Sequence, residues 1–287
     1  MRRVFAALAL AVALGSWSPA APAAFLLPNS ATSLKFAVIG DNGTGDRAQY
    51  DVADQMFAAH QRFPYDLVVM VGDNFYGSQK PADRLRKFDQ PYRALLDAGV
   101  TFRAALGNHD DLSTVDYPPL NMDGQRYYTF VRKDVRFFVL DTNVMDAPQL
   151  RWFESALQQA DEPWKIAVFH HPLYGNAGRH GSNVDLRVLI EPLFVRHGVQ
   201  VAFSGHDHVY ERLRPQNGIH YFVTGSSGKL RKGDLRRGAS TAAGFDQDQV
   251  FLLVEIEVAS LYFEAVARTG ATVDSGTIGR AALLTSR

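Results

Sequence analysis

Five short polar blocks carry the residue types in this chain that could do chemistry: Gly40-Asp41, Gly72-Asp73-Asn74-Phe75-Tyr76, Gly107-Asn108-His109-Asp110, His170-His171-Pro172 and Gly205-His206-Asp207-His208. Asp41 and Asp73 are hard anionic oxygen donors, and one carboxylate can bridge two cations and screen their mutual repulsion. Asn108 offers a neutral amide oxygen. His170, His206 and His208 offer imidazole nitrogen, which suits iron, zinc and similar ions. His206 and His208 are two apart, so an extended segment would put them on one face, and a bent one would give one to each cation. This inventory fits two metal ions of unlike hardness, and adjacent metals are chiefly a device for breaking phosphate esters.

Tyr76 narrows the pair further. A phenol with a pKa of about 10 is a poor ligand for divalent ions, whereas a trivalent ion such as Fe(III) can strip its proton. Two Asp and one tyrosinate against Fe(III) and a divalent ion (Fe, Zn or Mn), with one hydroxide, leave roughly one positive charge. That residual charge attracts a phosphate anion without trapping it.

The blocks need elements to position them, and four of the five follow a strand-like apolar run. Leu34–Ile39, Leu67–Val71, a run ending at Leu106, and Val199–Phe203 precede the Gly-initiated blocks, and Lys165–Phe169 places His170 at a strand end. Ala48–Arg62 reads as a helix with Val52, Met56 and Ala59 on one face. Asp146 can cap another in which Leu150, Phe153 and Leu157 align, and Val184–Val195 is a third. Tyr127–Val131 and Val135–Leu140 read as a hairpin, and Ile219–Val223, Val250–Val258 and Leu261–Ala267 add late strands. This alternation predicts an α/β domain. In such sheets ligands bind outside the carboxyl ends of strands, so distant blocks can meet at one rim. His171 is expected to point away from His170 by strand alternation. Lys229–Arg237 (KLRKGDLRR) reads as a basic solvated loop or a rim that attracts anions, and the stretch after Arg268 as a poorly ordered tail.

Composition sets the outer limits. The chain has 287 residues and a formal net charge of +0, so it carries no electrostatic footprint for nucleic acid or an anionic membrane. Arg2 and Arg3, an apolar run from Val4 to Gly15 and Ala21-Pro22-Ala23 predict a signal peptide over 1–23. That leaves 24–287 as one domain, periplasmic or secreted, with no stable membrane insertion. Removing the two arginines leaves 28 basic against 30 acidic side chains, a charge near −2. There are 0 cysteines, which excludes a thiolate nucleophile, a zinc–thiolate site and any disulfide.

In this order GD, GDNFY, ALGNHD, a His-x-Pro strand end and SGHDH, together with FFVLDT and PQLRWFESAL, resemble the calcineurin-like metallophosphoesterases. With Tyr76 present, the pattern is most similar to the short, tartrate-resistant type of purple acid phosphatase. Ala167 stands where that pattern usually has Val. The resemblance implies a four-layer α/β/β/α sandwich with mixed central sheets. It implies a ferric site of Asp41, Tyr76 and His208, a bridging Asp73, and a divalent site of Asp73, Asn108, His170 and His206. His109 and His180 would lie in the substrate pocket, His109 holding a phosphate oxygen or protonating the leaving alkoxide, with Asp110 orienting its ring. The residue before His180, often acidic in the family, is Arg179. The implied chemistry is in-line attack of a metal-bound hydroxide on small phosphate monoesters by a monomeric acid phosphatase. A phosphodiesterase or nucleotidase is the alternative on the same site. A binding protein that had lost catalysis should also have lost donors, and none is missing.

Overall fold

Period-two alternation decides which side chains enter the middle of the molecule. A computed structural model of the protein describes residues 25–280; the predicted signal peptide lies outside them. Six strands form one sheet. At its centre β1 (Leu34–Ile39), β2 (Leu67–Met70) and β3 (Thr101–Ala104) run parallel, and β11 (Val250–Ile256), β12 (Ser260–Ala267) and β13 (Thr272–Gly279) extend it antiparallel from the other side of β1. Seven strands form the second. Here β5 (Val135–Val139), β6 (Trp164–Val168), β7 (Val201–Ser204) and β9 (His220–Thr224) are parallel. The sheet is completed by β4 (Tyr128–Arg132) at one edge and by β8 (Tyr210–Leu213) and β10 (Thr241–Phe245) at the other.

The two sheets pack face to face. Phe137, Ile166, Val168, Val201, Phe203 and Phe222 point inward to one apolar cluster with the first sheet, while their neighbours Phe138, Ala167, Ala202 and Tyr221 point outward to another. Phe36 of β1 sets its ring edge-on to Phe137 at 5.4 Å and to Phe203 at 6.1 Å. Outside the first sheet, α1 (Arg47–His60) buries Val52, Ala53, Met56 and Ala59. The short α2 (Pro81–Arg84) and α3 (Arg93–Asp97) follow, with Phe88 and Tyr92 buried between them. Outside the second sheet lie α4 (Ala147–Gln158) and α5 (Val184–His197), joined through an edge contact of Phe153 and Phe194 at 5.8 Å. Asp46, Asp146 and Asn183 cap α1, α4 and α5 by accepting the amide of the third residue on. The result is the expected α/β/β/α sandwich. No helix among the described residues is long and apolar enough to cross a membrane.

Two expectations fail. β6 stops at Val168, so His170 and His171 sit in the bend beyond it and not on a strand. The supposed tail after Arg268 contains β13, an edge strand paired along β12 and tied to the other sheet by Asp274, which accepts from Arg212 Nε at 2.7 Å, Arg212 Nη2 at 3.0 Å and Tyr210 Oη at 2.8 Å.

Candidate metal centre

The parallel strands of both sheets deliver their following loops to one rim. Tight turns there demand unusual backbone. Gly72 has φ of +99°, and a β-carbon on it would meet His170 Nδ1 at 2.6 Å and Gly107 Cα at 2.9 Å. Asp41 and Asp73 (φ +53° each) and His206 (φ +70°) occupy the left-handed region although none is glycine. Such conformations persist only where surrounding structure enforces them, and here three cluster at one spot.

The side chains converge in two groups around the buried carboxylates. Tyr76 Oη lies 3.0 Å from Asp41 Oδ1 and 3.1 Å from His208 Nε2, and His208 Nε2 lies 3.4 Å from Asp41 Oδ1. His170 Nε2 lies 3.1 Å from Asn108 Oδ1, 3.3 Å from His206 Nδ1 and 3.4 Å from Asp73 Oδ1. Donor atoms of Asp41, Asp73 and His208 all fall within 4.8 Å of one another. The seven predicted donors are thus brought together, with Asp73 facing both groups. His170 Nδ1 sits 2.9 Å from Val71 O. That carbonyl can only accept, so it fixes the proton on Nδ1 and leaves Nε2 with a free lone pair aimed inward.

Electrostatics without a cation are unfavourable. Burial and the neighbouring Asp73 push the Asp41 carboxyl well above its usual range. Burial, then the charges of Asp41 and Asp73, push the Tyr76 phenol far up. Burial lowers His170 well below its ordinary value, His206 to about 2 and His208 to about 4. Among the described residues neither Asp41 nor Asp73 has a Lys or Arg partner. Two enclosed carboxylates, a phenol and three imidazoles held neutral make a donor set that lacks its positive charge, and its chemistry fits a cation pair.

The other predicted residues divide. His109 is exposed, its ring centre 4.7 Å from that of Tyr76. His180 is also exposed and stacks 4.1 Å from His206, with burial and then the charges of Arg231 and Arg179 lowering its pKa. Asp110 does not touch the His109 ring. Its carboxylate accepts the amides of Gly107 (2.8 Å), Phe75 (2.9 Å) and Asn74 (3.2 Å) and the Asn74 side chain (2.8 Å), so it binds the second block to the third. Burial raises it to about 8, while those donors pull the other way.

Sequence reasoning missed three supports. His171, expected to face away, packs 4.4 Å from His206 and meets Thr142 Oγ1 through Nδ1 at 2.9 Å, because strand alternation ends where the ladder ends. Asp207 turns from its flanking histidines to accept the Gly181 amide at 3.2 Å, holding the loop that carries His180. Lys87, buried behind the site, donates to the carbonyls of Tyr76 and Ser78 and fixes the path of the second block. The spacing of Asp207 between two donors was the one available signal, and its chemistry alone does not say which way it turns.

A family model described as Calcineurin-like phosphoesterase matches residues 34–210. The chain is 27% identical over 243 residues to purple acid phosphatase 17 of Arabidopsis thaliana, covering 71% of each protein. It is 25% identical over 250 residues to tartrate-resistant acid phosphatase type 5 of Homo sapiens, covering 71% of this chain and 77% of that protein. The structure of the purple acid phosphatase PPD1 from yellow lupin (Lupinus luteus) seeds superposes with a TM-score of 0.72 at 19% identity, over 88% of this chain and 55% of that one, which is a likeness of fold.

Proposed function

This chain belongs to the calcineurin-like phosphoesterase family, and from that premise we propose that it is an exported acid phosphatase acting on small phosphate monoesters at an Fe(III)–M(II) centre. The observation that carries this reading is the position of Tyr76, whose hydroxyl lies within 3.1 Å of both Asp41 and His208. Similarity to acid phosphatases of plants and animals supports the same reaction.

Asp41, Tyr76 and His208 would hold the ferric ion, Asn108, His170 and His206 the divalent one, and Asp73 would be shared. When bound, such a pair lowers the pKa of water and stabilises charge on phosphoryl oxygens. The protein's own residues do the rest. The fixed His170 tautomer keeps an acceptor nitrogen directed inward. His109 and His180 are exposed beside the donors, where one can hold a phosphate oxygen and the other can deliver a proton to the departing ester oxygen. Asp110 and Lys87 keep the second and third blocks in place, so the acceptor and proton-bearing groups are preorganised. Export through a leader cleaved near Ala23 and action as a single-domain monomer complete the proposal.

The test is hydrolysis of phenyl phosphate beside a bis-aryl phosphodiester by purified, metal-analysed protein at mildly acidic pH. The monoester is expected to turn over faster. A faster diester rate would assign the site to phosphodiesterase chemistry, and absence of both rates with iron present would refute the enzyme reading.

A further inference from the structure

His170 and His171 are neighbours in sequence, yet their rings are held by opposite kinds of partner. Nδ1 of His170 faces the Val71 carbonyl at 2.9 Å and must give it a proton. His171 meets a hydroxyl instead. Thr142 Oγ1 accepts the His171 backbone amide at 3.1 Å and lies 2.9 Å from His171 Nδ1. With its oxygen already accepting, the hydroxyl has a proton to give, and His171 Nδ1 is the one acceptor it meets among the described residues. When Nδ1 accepts, the ring proton belongs on Nε2. Thr142 is itself fixed. It is buried in the turn after β5, and Gln149 of α4 pairs with both backbone groups of Asp141 before it, accepting the amide at 2.8 Å and donating to the carbonyl at 2.9 Å. The FFVLDT block thus brings a rigid hydroxyl to the rim.

The ring of His171 stands between two cavities. One, of about 460 Å3, it lines with His180 and His206; the other, of about 400 Å3, it lines with Asn108 and Asn143. Each cavity therefore borders a candidate metal donor, His206 in the first and Asn108 in the second. The His171 ring centre lies 4.4 Å from that of His206 and 5.1 Å from that of His170. Its Nε2 has no hydrogen-bond partner among the described residues, although the side chain is only partly exposed. A half-buried N–H beside a metal centre, with no acceptor supplied by the protein, suits an oxygen of a bound anion.

We infer that His171 is a catalytic residue that donates from Nε2 to a non-bridging oxygen of the phosphoryl group, and that Thr142 is the positioning residue that keeps the proton on that nitrogen. This rests on the reading of the centre as a phosphoesterase site. The same tautomer separates His171 from its neighbour. His170 turns a lone pair inward and can hold a cation, whereas a nitrogen that bears hydrogen cannot. His171 forms no covalent bond and keeps its proton. In the reaction water supplies an oxygen to phosphorus and the ester oxygen departs, while the fixed N–H stabilises the charge that builds on the phosphoryl oxygen.

The experiment compares the metal-loaded protein with His171→Phe, which keeps a ring against His206 but removes the donor, and with His171→Gln, whose amide restores one. Metal content is measured in each. Orthophosphate affinity, read by calorimetry, and kcat/KM for phenyl phosphate are both expected to fall about tenfold or more in His171→Phe at unchanged metal content, and to recover in part in His171→Gln. Thr142→Val tests the lock. In zinc-loaded protein carrying isotope-labelled histidine, NMR should find the proton of His171 on Nε2 and that of His170 on Nδ1, the His171 signal being the one missing from His171→Phe. Thr142→Val should move that signal towards a mixture of tautomers and weaken orthophosphate binding with it. Unchanged orthophosphate affinity in His171→Phe would overturn the inference, as would a wild-type His171 protonated on Nδ1, or loss of metal from His171→Phe, which would make the residue a ligand. A wild type without turnover whose orthophosphate affinity still depends on His171 would count against the phosphatase reading and not against the donor.

Discussion

Tyr76 reaches Asp41 and His208 through a hydroxyl whose proton burial and two carboxylates hold tightly, so only a strongly polarising cation could remove it. Iron-loaded wild type is therefore expected to absorb in the visible, and Tyr76→Phe to lose that band and about tenfold or more of its activity. Retention of the band, read by absorption spectroscopy at matched iron content, would exclude a tyrosinate bond. Asp207 gives a prediction of a different kind. Burial raises it from 3.8 to about 7, so it adds stability that is complete below about pH 4 and is lost as pH rises through about 7. In metal-free protein, the melting temperature of Asp207→Asn relative to wild type should therefore rise across that window, by about 3 °C or more. A constant difference would show that Asp207 is ionised throughout. The seven candidate donors were legible because metal ligation favours particular residue types, here set in short polar blocks that mostly open on a glycine. His171 and Asp207 were not, because their roles depend on where a side chain turns after the last ladder bond, and Lys87 was not, because on a helical turn its role comes only from the fold bringing the carbonyls of Tyr76 and Ser78 within its reach.

At the level of elements, the strands that carry the blocks were legible as runs of Val, Ile, Leu and Phe, since strands covered on both faces need no polar alternation. β13 was not, because its sequence TVDSGTIG looks like a loop and becomes a strand only by pairing with β12. β8 and β10 escaped for a similar reason: Glu211 and Arg212 interrupt the first, and the second is short and rich in Ala and Gly. Asp274 makes β13 more than an edge. By accepting from Arg212 and Tyr210 it links the two sheets, and the pair is largely shielded from solvent. Asp274→Ala is expected to destabilise the protein by about 2 kcal/mol, since it strands a guanidinium and a buried hydroxyl. Chemical denaturation would check this. An unchanged midpoint would mean that backbone pairing alone holds the edge.

Over the whole molecule, the candidate donors come from both halves. Asp41, Asp73, Tyr76 and Asn108 follow strands of the first sheet, and His170, His206 and His208 follow strands of the second. A cation bound by either group would therefore span the seam between the sheets. Chelation should lower the melting temperature, and restoring free metal to about a hundredfold over its Kd should return about 2.7 kcal/mol. A melting temperature indifferent to metal would show that the seam is held by its aromatic core alone. The order of the donors along the chain has a further consequence for synthesis. Asp41 and Asp73 emerge early, but the nitrogens that would complete either coordination sphere arrive only with β6 and β7. If these seven residues hold the metals, a chain made only as far as β5 lacks all three histidine nitrogens, and full coordination would follow the docking of the two halves. With 0 cysteines to lock that state covalently, the cations would be the latch that tells a finished molecule from an unfinished one.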